Sequence, residues 1–231
     1  LKSVEDPTLT NHVNVDGTLA LLSACRDSSV KRFIYASTCA LYGDSKSLPA
    51  EESHLPNTIS PYAVSKLAAE NYCTAFHHVY GLETVSLRYF NVYGPRQGYS
   101  PYSGVIAIFV NRALKGEHPI IYGDGEQSRD FISVGDVVEA NMSALKAQGV
   151  GGEVFNVATG RPTTVNELAR AVLEVTGKRD LRPVYLEARP SDLRHSYGSP
   201  KKAERQLNLR AKVDLVQGLR RTVDWFVKSS G

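Results

Sequence analysis

The stretch Arg32-Phe-Ile-Tyr-Ala-Ser-Thr38, followed by Cys-Ala-Leu-Tyr42-Gly43, decides the fold. It is a compact apolar run that ends in two hydroxyls. A short continuous run of this kind predicts a buried strand. Ligands of α/β sheets gather at the carboxyl ends of the strands, so Ser37 and Thr38 mark a site. Upstream, residues 10–25 carry Val13, Leu19 and Leu22 at helical spacing. Downstream, residues 43–60 are polar and rich in Pro and Ser, which predicts a loop. Ser60-Pro61 then pairs a capping hydroxyl with a proline at the first helical position. The helix it opens runs to about residue 80, where Gly81 closes it. Residues 84–89, Thr-Val-Ser-Leu-Arg-Tyr, form the next strand. Helix and strand alternate, which predicts an α/β fold with a mostly parallel sheet.

Beyond Gly94-Pro95 the elements become shorter. The pattern predicts a helix over 105–115, a strand over 119–122, a loop over 123–129, a helix over 135–146 and a strand over 153–157. Thr164 and Glu167 have capping-box spacing and start another helix. Ser199-Pro200 opens a short one, and the last helix, over 214–227, holds the only tryptophan, Trp225. The chain divides into a sheet-based part, 1–95, and a part, 96–231, that is mainly a smaller lobe with some segments returning to the first.

Composition narrows the function. The 231 residues carry 27 basic and 24 acidic side chains, a net charge of +3. No basic stripe interleaved with aromatics stands out, so no nucleic-acid partner is expected. No run of about 18 apolar residues exists, so no membrane span is expected. Cys25, Cys39 and Cys73 are scattered without a Cys-x-x-Cys pair, which suits a reducing cytoplasm. His77-His78 lacks a metal-binding frame, so no metal is expected. Cys39 has no identified base beside it and reads as a small core residue.

The sharpest motif is Tyr62-Ala-Val-Ser-Lys66. Spacing i, i+4 puts the phenol and the ammonium on one helix face. A lysine so placed is expected to stabilise the phenolate and lower the tyrosine pKa, which suits a general base. Alone the spacing is common. Its context is the strand ending in Ser37-Thr38 and the Ser60-Pro61 directly before it.

Four strings occur in order: Ser37-Thr38-x-x-x-Tyr42-Gly43, Ser60-Pro61-Tyr62-x-x-x-Lys66, Arg88-Tyr89-Phe90-Asn91-x-x-Gly94-Pro95, and Gly123-Asp-Gly-x-x-x-Arg129-Asp130-Phe131. Together they make the chain resemble, over essentially its whole length, the extended short-chain dehydrogenase/reductase family. Within it the likeness is to the NAD-dependent nucleotide-sugar epimerases and dehydratases, UDP-N-acetylglucosamine 4-epimerases of the polysaccharide-synthesis type above all. The resemblance implies a Rossmann-type doubly wound sheet with a smaller C-terminal substrate-binding lobe. It implies Tyr62 as catalytic base, Lys66 as its partner on the nicotinamide ribose, and Thr38 as the hydroxyl that bonds the sugar 4-hydroxyl. Asn14, Tyr89 and Phe90 match positions near NAD, although both rings suit plain core equally. Asn91, Arg129, Arg189 and Asp192 match contacts to the sugar, diphosphate and ribose. Ser191 departs from the family's Arg-x-Gly-Asp at the last of these. Val105 and Tyr122 match the wall of the uracil pocket.

The family's reactions diverge after a shared first oxidation. Dehydratases carry acidic residues directly after the catalytic threonine, and UDP-glucuronate decarboxylases a glutamate two positions on. Here those positions are Cys39 and Ala40. That leaves 4-epimerisation through a 4-keto sugar, with NAD as a bound cofactor. Ser196 stands where some relatives hold a bulky aromatic, and a small residue there leaves room for a 2-acetamido group. UDP-GlcNAc/UDP-GalNAc is the expected pair; UDP-glucose/galactose and a UDP-uronate stay open. The resemblance further implies a homodimer through a four-helix bundle, and about 90 preceding residues with the glycine-rich NAD turn that this sequence lacks. A non-catalytic nucleotide-sugar-binding protein of the same fold is the competing expectation.

Overall fold

The structure, a computed structural model, describes residues 2–98, 104–189 and 192–229. Helices α1 (Lys2–Glu5), α2 (Pro7–Asn11) and α3 (Gly17–Asp27) lead into strand β1 (Arg32–Thr38). Helix α4 (Pro61–Tyr80) and strands β2 (Glu83–Tyr89) and β3 (Asn91–Tyr93) follow. Then come α5 (Val105–Leu114), β4 (Ile120–Tyr122), β5 (Ser128–Ser133), α6 (Val134–Lys146), β6 (Val154–Val157) and β7 (Pro162–Thr164). The chain continues through α7 (Val165–Val175), β8 (Val184–Leu186), β9 (His195–Ser196), α8 (Lys201–Leu207) and α9 (Leu215–Ser229).

Strands β1, β2 and β6 form a parallel sheet in that order, with Thr38 beside Tyr89 and Tyr89 beside Val157. The carboxyl ends of all three strands thus lie together. On one face α4 and α3 cover Tyr35 with Leu22, Ala69, Cys73 and Phe76. On the other, α6 and α8 pack on Val85, Leu87 and Phe155. The expected burial of β1 holds only in part. Among the described residues β1 is an edge strand, and Ala36 is exposed. A further core gathers α5, α7 and α9 around Phe109, Leu168 and Leu219, beside the short strands that follow β3.

Local chemistry explains the long elements. Ser60 Oγ accepts from the Ala63 N–H at 3.2 Å, Pro61 sits at the first turn, and Gly81 ends α4 at φ 70°. The capping box forms at α7: Thr164 Oγ1 accepts from Glu167 N at 3.1 Å and Glu167 Oε2 from Thr164 N at 2.8 Å. Two expectations need correction. The helix over 10–25 starts earlier and is divided, with a π-helical turn over His12–Asp16 between α2 and α3. The end of the 123–129 loop is strand instead: Ser128 and Arg129 belong to β5, held by parallel pairing with β9 and antiparallel pairing with β7. No helix among the described residues is long and apolar enough to cross a membrane.

Candidate active site

Thr38 closes β1 in extended conformation, and its Oγ1 accepts from Ala40 N at 3.2 Å to start a 3₁₀ turn over Cys39–Tyr42. That turn fixes the hydroxyl at the strand end. Tyr62 stands in the first turn of α4, 40% exposed, with Thr38 close enough to bear on its pKa. Burial raises the Tyr62 pKa, and Thr38 works against that rise. Lys66 is half-buried, and its ammonium lies over the Tyr35 ring, 4.4 Å from the centroid. Burial lowers its pKa, opposed by Cys73 and Glu70. Lys66 is not among the groups that move the Tyr62 pKa in this arrangement. The lysine ammonium is engaged by the Tyr35 ring, and Thr38 is the group that favours the phenolate.

Behind this face, Asn14 Nδ2 donates to Ser65 Oγ at 3.0 Å, and Ser65 Oγ donates to the Tyr62 carbonyl at 2.9 Å. Asn14 lies in the π turn, whose extra residue rotates the helix locally. Residues that sequence reasoning missed lie deeper. Glu70 of α4 is buried against Arg88 of β2, and Tyr42 and Asn156 extend the chain of hydrogen bonds. A usable signal exists for Glu70: it stands eight residues after Tyr62, on the same helix face.

Toward the other side, Ser196 comes near Cys39, and it is paired in register with Arg129 of β5. From Arg129 a cleft of about 420 Å³ opens. Asn91, Val105, Tyr122, Arg129, Arg189 and Asp192 line it, six of the eight residues expected to hold the substrate; Thr38 and Ser196 lie outside its lining. The Arg189 guanidinium stacks 3.8 Å above the Tyr122 ring centroid. Arg129 Nη2 meets Asp192 Oδ1 at 2.5 Å. Asn91 Nδ2 donates to the Asp130 carbonyl at 3.2 Å, and the Asp130 carboxylate, fully buried, accepts from Thr159 and Gly160. Phe109 and Gln127 also line this cleft and were not foreseen.

Two expected cofactor contacts do not present their side chains to this surface. The Tyr89 hydroxyl donates to Asn141 Oδ1 of α6 at 3.0 Å, and the Phe90 ring is buried with Tyr42, Ala50 and Ala158. The two adjacent rings point to different clusters of the core, which leaves the backbone between them at the strand ends. Ser191 lies outside the described residues. Among the described residues no cluster of three His, Cys, Asp or Glu could hold a metal ion.

The donor set beside Thr38 fits the nicotinamide end of a dinucleotide: a reachable phenol and a half-buried ammonium, one helical turn apart on α4. A parallel sheet with this Tyr-x-x-x-Lys helix at its strand ends, next to a cleft with two arginines, defines an NAD-dependent nucleotide-sugar enzyme of the short-chain dehydrogenase/reductase class. The signature of the NAD dependent epimerase/dehydratase family matches residues 1–158, and the chain belongs to that family. Its relatives include NAD-dependent nucleotide-sugar 4-epimerases, which are isomerases, and also dTDP-D-glucose 4,6-dehydratases about 34% identical. A UDP-glucose 4-epimerase of Mycolicibacterium smegmatis is 36% identical over 230 residues, 99% of this chain and 73% of the relative. Among solved structures, the UDP-glucose 4-epimerase of Thermotoga maritima with UDP-glucose superposes with a TM-score of 0.95 at 43% identity, covering 99% of this chain and 74% of that one. The UDP-N-acetylglucosamine 4-epimerase of Methanobrevibacter ruminantium, in complex with UDP-N-acetylmuramic acid, gives a TM-score of 0.94 at 40% identity, with 99% and 73% covered.

Proposed function

We propose that this protein interconverts the C4 epimers of a UDP-sugar, with UDP-GlcNAc/UDP-GalNAc as the preferred pair. The observation that carries the reading is one set of adjoining groups. Tyr62, Lys66 and Thr38 gather at the strand ends, and Ser196, in register with Arg129, joins them to the cleft lined by Asn91, Tyr122, Arg129, Arg189 and Asp192. NAD held beside Tyr62 and Lys66 would supply the acceptor and donor of the C4 hydride. Tyr62 removes the 4-hydroxyl proton, which leaves a 4-keto sugar, and returns it when the ring has turned over. Thr38 holds the oxygen in reach of Tyr62. Arg129 and Arg189 offer paired N–H donors to the diphosphate. Asp192 then leaves Arg129 for a ribose hydroxyl. Val105 and Tyr122 wall the base.

Elimination lacks an acid. Burial pushes the Cys39 thiol up to about 12, and Ala40 has no proton to give. The division into a cofactor part, 1–95, and a nucleotide-sugar part, 96–231, belongs to the same proposal. So does a cytoplasmic location, which the three free cysteines suit.

The test is an epimerase assay of the NAD-loaded protein against UDP-GlcNAc, UDP-glucose and UDP-glucuronate. Tyr62→Phe is expected to lower kcat by about 10²–10⁴-fold, the contribution of a positioned base. Unchanged activity in that variant overturns the mechanism. Ser196→Tyr is expected to lose UDP-GlcNAc turnover while keeping UDP-glucose turnover. Equal losses on both remove Ser196 as the determinant, and a wild-type preference for UDP-glucose replaces the proposed pair.

A further inference from the structure

One buried ion pair lies next to the reacting groups without belonging to them. The side chains of Glu70 and Arg88 are 3% and 6% exposed. Arg88 grips the carboxylate with two N–H groups: Nη2 to Oε1 at 2.6 Å and Nε to Oε2 at 3.1 Å. Ser37 Oγ donates to Glu70 Oε2 at 2.5 Å. Arg88 Nη1 donates to Tyr42 Oη at 2.8 Å, and Tyr42 donates in turn to Asn156 Oδ1 at 2.7 Å. A buried ion pair adds little net stability, because desolvating both charges offsets their attraction, and apolar residues of similar volume often serve as well. Stability alone therefore does not account for it.

Its place on α4 does. Tyr62, Lys66 and Glu70 follow one another at intervals of four and share a helix face. Lys66 and Glu70 are thus ready to pair with each other, and away from bulk water that pairing would be strong. The structure shows another arrangement. Arg88 reaches across from β2 and occupies Glu70, while the Lys66 ammonium rests on the Tyr35 ring.

We propose that Arg88 is a positioning residue: by occupying Glu70 from strand β2, it keeps that carboxylate from capturing Lys66 and leaves the ammonium available to the Tyr62 end of α4. The same grip, through Ser37, steadies the strand end that carries Thr38. The proposal rests on the reading of Tyr62 and Lys66 as the catalytic pair.

The test compares Arg88→Met with Arg88→Met/Glu70→Gln in the NAD-loaded enzyme. The single variant frees Glu70 to hold Lys66. Its kcat is expected to fall by about 10- to 100-fold, part of what a positioned base contributes. KM for the UDP-sugar is expected to change by less than about threefold, because the cleft that holds the nucleotide is not touched. The double variant removes the capturing charge and is expected to recover kcat to within about threefold of wild type. A double variant no better than the single overturns the proposal. A purely structural pair also gains from the second change, which removes an unpaired buried charge, so the labelling of Lys66 separates the two. If thermal unfolding shows that Arg88→Met does not fold, the Arg88→Met/Glu70→Gln variant carries the test alone: kcat within about threefold of wild type is expected, and a loss of about tenfold or more overturns the proposal.

A second readout needs no turnover. Capture by Glu70 raises the Lys66 pKa, so amine labelling of Lys66, followed by mass spectrometry across pH, is expected to shift to higher pH in Arg88→Met. An unshifted labelling curve overturns the proposal. Tyr62→Phe is run alongside. If it stays active, the catalytic reading has failed; if it is inactive while Arg88→Met keeps wild-type kcat, only the positioning role has failed.

Discussion

Tyr62 is held between two opposing influences, and Thr38 is the one that can be removed. Burial favours the neutral phenol, whereas Thr38 favours the phenolate. The reaction needs Tyr62 in its basic form. Removing the hydroxyl with Thr38→Val, which keeps the shape, therefore raises the Tyr62 pKa and moves the acid limb of the kcat–pH profile to higher pH. A lowered kcat with an unmoved limb would assign Thr38 to substrate contact alone. At the far end of the site, Arg129→Met is expected to weaken UDP binding about 10- to 100-fold by calorimetry, equivalent to about 1.5–3 kcal/mol for hydrogen bonds to a charged group. Unchanged UDP affinity would remove Arg129 from the diphosphate site. These residues were legible because a strand end and an i, i+4 spacing place backbone and Cβ with little freedom. The Lys66 ammonium was not, because four flexible carbons carry it and the Tyr35 ring decides where it rests. Nor was Arg88: no local pattern says that a strand arginine will meet a glutamate on the preceding helix.

Among the elements, those with their own local signals matched the expectation. Helix α4 begins at Ser60-Pro61 and stops at Gly81, and α7 begins at its capping box, so neither start depends on distant neighbours. The strands β3, β5, β7, β8 and β9 are two to six residues long and were passed over. Their existence is decided by partners far away in sequence: β5 carries Arg129 and Asp130, hardly a strand composition, yet it pairs with β3, β7 and β9. The π turn at Asn14 likewise has no local signature. Tertiary fit also decides α9. Gly218 packs so tightly on Tyr93 that a Cβ there would overlap the ring hydroxyl. Tyr93 is fully buried and cannot swing aside. Gly218→Ala, although favourable for a helix in isolation, is expected to cost about 1–3 kcal/mol through overpacking, read as a lowered thermal midpoint. A raised midpoint would show that the ring can yield.

For the molecule as a whole, the surface opposite the α4 core face calls for a partner. Val64, Tyr72 and Val79 are 53%, 39% and 69% exposed, and their spacing of eight and seven residues aligns them along one stripe of α4. Leu9, Val13 and Leu21 are exposed on the neighbouring α2–α3 segment, which packs on α4 through the cluster around Leu22. Two adjacent helices that each offer apolar side chains to solvent mark an interaction surface rather than scattered exposure. A second copy is the occupant proposed, because twofold pairing sets the same stripe against itself and makes a bundle of four helices. Tyr72→Glu/Val79→Glu places like charges face to face across that axis, away from Tyr62. Sedimentation is expected to show a dimer for the wild type and a monomer for the double variant. Tyr62, Thr38 and the nucleotide cleft lie within one chain, so the monomer is expected to keep its epimerase turnover while losing thermal stability. A wild-type monomer, or a variant that remains dimeric, would put the interface elsewhere.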